Sequence, residues 1–426
     1  MKALLALSFG LLASPALAAD CLVVDGATVH LPAGPQATSI VVVGERIAAI
    51  GAPVTAVDAA SGQATWDGSV CAYLDASGKQ ISAGLIDSST QLGLVEVSLE
   101  GSSHDKDAGG SDEVRAAFEV ADAYDPRSSL IAIARLGGIT SALANPSGGL
   151  LPGASAFVDL AGRRQSEAVV DSRAAWIANL GSRPAKSATL DRLSALLTDA
   201  RDAAANQRAV QGGSYRDLLA SPRDLAALGV VLAGDAPLIL NADRAADLEA
   251  IARFATREKV RVVVRGAAEG WLVSDLLAEA GVAVILDPTV YGAGSFDQLG
   301  GRADNPAQLK AAGVEVLIAT GSSHHSRGLR QLAGNAVRGG MSHADALDAI
   351  TGAPARAFGQ RDRGVVAVGA VANLVVWSGD PLEVTTWADA VFVRGVQQPH
   401  SSRQTVLRDR YRELPGSPLA PLSLPE

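Results

Sequence analysis

Three aspartates each stand at the end of an apolar run that reads as a buried strand: Asp87 after 81–86, Asp243 after 237–240 and Asp287 after 282–286. Carboxylates delivered to one pocket from separate strands can divide the work of general acid and general base. A histidine pair, His324-His325, follows a fourth run at 314–320. Imidazoles shuttle protons near neutral pH and bind zinc, but adjacent residues do not readily face one metal, and loop-capping histidines are common. His30, His343 and His400 fall in hairpin, helix-start and tail contexts and read as surface residues. No Gly-x-Ser-x-Gly elbow and no cysteine–histidine pair is present, so nucleophilic acyl transfer has no visible machinery. The remaining strand-end residues are neutral or cationic: Ser89 and Gln91, Asn241, Arg265 with Gly266, and Gly321.

The elements that must position these residues alternate in period. From 125 to 338 short Val/Ile/Leu runs are separated by amphipathic stretches, the pattern of βα units on a parallel sheet. Counting 81–86 and 138–144 gives enough units for an eight-stranded barrel, whose catalytic rim is the C-terminal ends of its strands. Both chain ends look different: 21–73 and 364–395 are strand and turn throughout. Residues 181–221 form an Ala-rich stretch of alternating Arg and Asp that reads as a solvated helical insertion. The Gly-rich loop 145–153 reads as a tight turn at the rim, with an anion nest as the sharper alternative.

Several segments resemble the amidohydrolase superfamily. They are Gly84-Leu85-Ile86-Asp87 with Thr90, Asn241-Ala242-Asp243-Arg244-Ala245, and Ala372-Asn373-Leu374-Val375-Val376-Trp377 with Gly379-Asp380-Pro381. The run Arg330-Gln331-Leu332-Ala333-Gly334-Asn335-Ala336-Val337 is similar to exported members of its imidazolonepropionase-like branch. The resemblance implies an α/β fold: a (β/α)8 TIM-type barrel at 83–362, carrying the 181–221 insertion. A small β-sandwich domain is built from both chain ends, 19–82 plus 363–412. It also implies hydrolysis of non-peptide C–N bonds by a divalent metal such as zinc. Where that family places histidines and an aspartate, this chain has Ser89, Gln91, Asn241, Asp243, Gly266 and Gly321, so no metal is expected. Asp159 falls near the level of a bridging ligand, and Asp243 reads more readily as the N-cap of the following helix.

The expectation is therefore an exported pseudoenzyme that binds a small polar or peptide-like ligand through Ser89, Gln91, Asn241 and Asp243, with Gly266 and Gly321 also lining the pocket. The alternative is a hydrolase with an atypical or metal-free site drawn from Asp87, Asp243, Asp287, His324 and His325. Residues 1–18 have the charged start, short apolar core and Ala-x-Ala end of a secretory signal peptide, which places the chain in the periplasm or outside the cell. In such a compartment the isolated pair Cys21 and Cys71 reads as a disulfide. Apolar residues make up 48% of the chain but aromatics only 4%, which suits helices packed closely on a sheet. A formal net charge of -9 argues against nucleic acid or an anionic membrane as partner, and leaves a homo-oligomer open. The Pro-rich tail 413–426 reads as disordered.

Overall fold

The Val/Ile/Leu runs form eight hydrogen-bonded strands in chain order: β1 (Leu85–Thr90), β2 (Ile139–Ala144), β3 (Gly153–Asp159), β4 (Val169–Ala178), β5 (Leu238–Ala242), β6 (Val262–Gly266), β7 (Ala283–Leu286) and β8 (Val316–Ile318). They belong to a computed structural model that describes residues 21–58, 60–181, 185–292 and 294–412. The leader expected at 1–18 and the tail expected at 413–426 lie outside the described residues. Each strand sends one bulky side chain inward. Ile86, Leu143, Phe157, Ile177, Ile239, Val263, Ile285 and Leu317 form one interior cluster, with Ala353, Ala355 and Phe358 beneath them. The alternate residues, such as Leu238, Leu240, Val262 and Val264, pack against the helix layer, as a two-residue period requires. The chain thus folds into the expected α/β barrel with a separate sheet from both chain ends.

One strand departs from the parallel repeat. β3 runs antiparallel to both β2 and β4. The loop 145–152 is too short for the dozen or more residues that a parallel crossover needs, so the chain turns back at the rim. That loop is no anion nest: the amides of Ser147, Leu150 and Leu151 already donate to the carbonyls of Lys106 and Glu113. Reversal also corrects the placement of Asp159, which lies at the base of the barrel, in register with Ser141 near the start of β2. Closure between β8 and β1 is made without a ladder. Gly321 N donates to Ser89 O at 3.1 Å, while Ile86 N and Ile318 N donate to the carbonyls of Ile350 and Ala349.

The stretch 181–221 is no solvated insertion. Its main helix, α1 (Lys186–Ala205), buries Leu190, Leu193, Leu197 and Ala200 at helical spacing. It packs against α2 (Ala245–Glu258) as the outer helix of the fourth unit. Its charges are partly drawn into that packing: Arg201 pairs with Glu258 of α2, and the buried Asp199 pairs with Arg216 further along the chain.

At the barrel's base, Leu374–Trp377 from the far end of the chain inserts between Gln80–Ala83 and Ala388–Val393 in the second sheet. Asp159 ties this sheet to the barrel. Its fully buried carboxylate accepts from Arg363 Nη2 (3.1 Å), Arg394 Nε (2.9 Å), Asn373 Nδ2 (3.1 Å) and Ser141 Oγ (2.8 Å). Arg394 reaches it from a hairpin turn with φ of +50°, left-handed backbone that an arginine adopts only under constraint. On the outer part of the same sheet, Cys21 and Cys71 are disulfide-bonded with a Cα–Cα distance of 4.8 Å.

Two stability outcomes are expected. Asp159→Ala leaves Arg394 without its carboxylate partner and Arg363 with Asp362 alone, a loss of about 3–5 kcal/mol in urea unfolding followed by tryptophan fluorescence; an unchanged midpoint would show the cluster to be energetically idle. Cys21 and Cys71 close a loop of 50 residues. Their double replacement by alanine should cost about 4 kcal/mol by chain entropy, and alkylation mass spectrometry of the purified, non-reduced protein should find neither thiol free.

Candidate functional site

Ser89 from β1, Asn241 and Asp243 from β5, Arg265 and Gly266 from β6, Asp287 after β7 and Gly321 after β8 line a single cavity of about 340 Å3 at the barrel mouth. The parity of each strand explains this. Ile239 and Asn241, Val263 and Arg265, and Ile285 and Asp287 lie two residues apart, so the polar member continues the inward face above an apolar one. Asn241 and Arg265 are partners in the β5–β6 register.

The polar groups are held in distinct ways. Ser89 Oγ accepts from Asn145 Nδ2 at 2.8 Å, in a buried pair that links β1 to the loop after β2. Asn241 Oδ1 accepts from Leu180 N at 2.9 Å, which fixes the orientation of the amide. Asp243 accepts from Ala268 N (3.2 Å) and Gln298 Nε2 (3.2 Å), and burial raises its pKa above the ordinary carboxylate range. Gly266 has φ of +116°, and a Cβ there would stand 2.6 Å from Asp243 Oδ1, so only glycine lets this carboxylate fold against β6. Asp287 accepts from Thr289 N (2.8 Å) and Oγ1 (2.6 Å) in a local turn. Arg265 is partly buried at the mouth, and its side chain has no hydrogen bond or ion pair with any described residue.

Other expectations are corrected. Gln91 does not line the cavity; its Oε1 accepts from Lys106 Nζ at 3.2 Å in the long loop after β1. Asp243 is not an N-cap: that position belongs to Arg244, and the first helical amide, Ala245 N, donates to Glu269 Oε2 at 2.9 Å. Asp87 is fully buried in the seam between β1 and β8, where it accepts from Thr320 Oγ1 (2.6 Å) and Thr320 N (3.2 Å). The histidine pair splits. His324 Nε2 is buried without a hydrogen-bond partner, whereas His325 is exposed and lines a wider neighbouring groove together with Asp287 and Thr320. His30 and His343 are less isolated than expected. Their rings stack at 6.0 Å, with His30 bonded to Gln80 and His343 to Asp380. Lys106 was not a sequence candidate because nothing in its polar loop signals a partner just past β1. Among the described residues no group of three or more His, Cys, Asp or Glu is placed to hold a metal ion.

Comparison with known proteins agrees with this architecture. The profile described as the amidohydrolase family matches residues 324–409. No curated protein matches the sequence significantly. A crystal structure of an amidohydrolase from Thermotoga maritima MSB8 is similar over 89% of this chain and 100% of its own, with a TM-score of 0.76 and 20% identity. A prolidase complexed with N-methylphosphonate-L-proline covers 89% of this chain and 100% of its own, with a TM-score of 0.52 and 17% identity. A further amidohydrolase gives 89%, 99%, 0.51 and 15%. At such identities the likeness is one of fold.

Burial pushes the Asp87 carboxyl up from 3.8 to about 6, although the Thr320 and Ser89 donors pull it down. Its folded pKa therefore lies above the unfolded one. The stability it contributes is complete below about pH 4 and is lost as pH rises through about 6, with an amplitude of about 3 kcal/mol. Asp87→Asn keeps an acceptor for Thr320 but cannot ionise. Relative to this variant, the wild type should lose stability between about pH 3 and pH 7, most of it between about 4 and 6. A difference that stays constant across that window, in urea midpoints, would place the Asp87 carboxyl back in the ordinary range.

Proposed function

We propose that this chain, an amidohydrolase-superfamily protein in its fold and in its 324–409 segment, is an exported binding protein whose barrel mouth takes a small polar or peptide-like ligand. One observation carries the reading: the strand ends that converge on the mouth offer a hydroxyl, an amide, two glycines, a guanidinium and two carboxylates already engaged by protein donors. A divalent metal that activates water needs about three imidazole or carboxylate ligands and an open position. The residues present do not fit such a metal, and Arg265 adds a positive charge that would repel it. No hydrolytic step is therefore routed through one.

A cavity of about 340 Å3 is at the lower end of small-molecule sites. The similar fold of a prolidase carrying a phosphonate analogue of a proline peptide supports a peptide-like ligand of that size. Export rests on the signal-like segment 1–18 and accords with the Cys21–Cys71 bond. The competing reading, a metal-free hydrolase of C–N bonds, draws on Asp287 and His325, which share the neighbouring groove of about 760 Å3.

The purified mature protein should carry substoichiometric transition metal by elemental analysis, and chelation should leave its ligand-induced thermal shifts unchanged. One zinc per chain, lost together with amide hydrolysis on chelation, would overturn the binding reading. Chelator-resistant hydrolysis that disappears in His325→Gln would establish the metal-free enzyme instead.

A further inference from the structure

Arg265 is unlike the other partly or fully buried arginines. Arg363 is answered by the carboxylate of Asp159, and Arg135, Arg261 and Arg330, which lack a carboxylate, each donate to carbonyl or amide oxygens, whereas the side chain of Arg265 faces the mouth with no hydrogen bond or ion pair to any described residue. Leaving a partly buried charge unpaired is costly, and a guanidinium does not escape by losing its proton. Its neighbours compound the imbalance. Asn241 Oδ1 is occupied by Leu180 N, so Nδ2 is the free end of that amide. Ser89 Oγ already accepts from Asn145, so its own O–H is left to donate. Both oxygens of Asp243 are engaged, by Ala268 and Gln298, and Asp287 Oδ1 accepts twice from Thr289, which leaves Asp287 Oδ2 as the unengaged carboxylate oxygen of the mouth. The mouth thus holds more unanswered donors than acceptors.

We propose that the barrel mouth binds the carboxylate of a small monoanionic ligand, with the Arg265 guanidinium as its counter-charge and Asn241 Nδ2 and the Ser89 hydroxyl as further donors. This rests on the reading of the mouth as a ligand site, and names the chemistry that site selects. A guanidinium presents a planar fork that matches a carboxylate with two parallel bonds. A monoanion is favoured over phosphate for a reason of charge: one arginine offsets one negative charge, and Asp243 and Asp287 on the same rim repel a second.

The test uses the full mature chain in a carboxylate-free buffer, with calorimetric titration and thermal shift. N-acetylglycine and N-acetylglycinamide serve as probes that differ only in the carboxylate, and inorganic phosphate serves as the dianionic control. N-acetylglycine should bind and raise the Tm, with the amide about tenfold or more weaker, because a bond to a charged group is lost. Arg265→Gln should abolish that discrimination. Arg265→Met should raise the Tm of the ligand-free protein, since it removes an unpaired, partly buried charge, while ending N-acetylglycine binding. Equal binding of acid and amide, unchanged in Arg265→Gln, would overturn the anion site and leave the binding reading intact. Tighter binding of phosphate than of N-acetylglycine would overturn the monoanion. Failure of every probe together with a lower Tm in Arg265→Met would make the arginine structural and sink both readings.

Discussion

A buried carboxylate at the base of the barrel, Asp159, is the constraint on which the two layers depend. Its four donor residues come from β2, from the segment that leads into the last strands, and from a hairpin at the far end of the chain. Desolvating such a charge costs several kcal/mol, and a low-dielectric attraction offsets this only when the geometry is good and the lone pairs are filled. Both conditions hold here. The cluster therefore contributes less to net stability than to register: any other docking of Leu374–Trp377 on Gln80–Ala83 would strand two arginines and an aspartate. The reversed β3 makes this possible, because a parallel third strand would carry Asp159 to the rim, out of reach of Arg363 and Arg394.

The two ends of the barrel obey different electrostatic rules. At the base the buried Asp159 is answered by two arginines. In the seam, Asp87 bonds to Thr320 where a backbone ladder would otherwise run, and burial raises its pKa to about 6. At the mouth, the side chain of Arg265 has no partner among the described residues. Structures that satisfy local rules elsewhere tend to break them where they meet a ligand, and the location of the break in a concave pocket makes it informative.

Much of the fold could be read from residue order, and the reasons for the misses are physical. Apolar runs of four to six residues with β-branched side chains marked the strands, and the Gly-Leu-Ile-Asp and Leu-Val-Val-Trp segments marked where barrel and sheet meet. The direction of β3 was hidden because Gly153–Asp159 is buried on both faces and carries no sign of orientation; only the length of the loop before it decides. In α1 the alternating charges masked Leu190, Leu193 and Leu197. At the site, Ser89, Asn241, Asp243, Gly266 and Gly321 were reachable because each ends a strand. Gln91 was misplaced since its partner, Lys106, comes from an irregular loop. Arg265 was visible only as a group that repels metal. That it lacks an anion is a fact about the whole mouth, which no local pattern encodes.

A guanidinium and a metal ion both supply positive charge at a strand end, but they are not equivalent in what they permit. A metal draws electron density from a bound water and lowers its pKa to about 7, so it generates a nucleophile as well as holding an anion. A guanidinium has no open coordination position and forms hydrogen bonds of fixed direction. It can orient and neutralise a carboxylate, yet it leaves water at its ordinary acidity. On the proposed reading, the positive charge at the rim has been kept in a form that recognises and cannot hydrolyse. The same barrel, with its base locked by Asp159, then serves to present a rigid pocket to a ligand it does not transform.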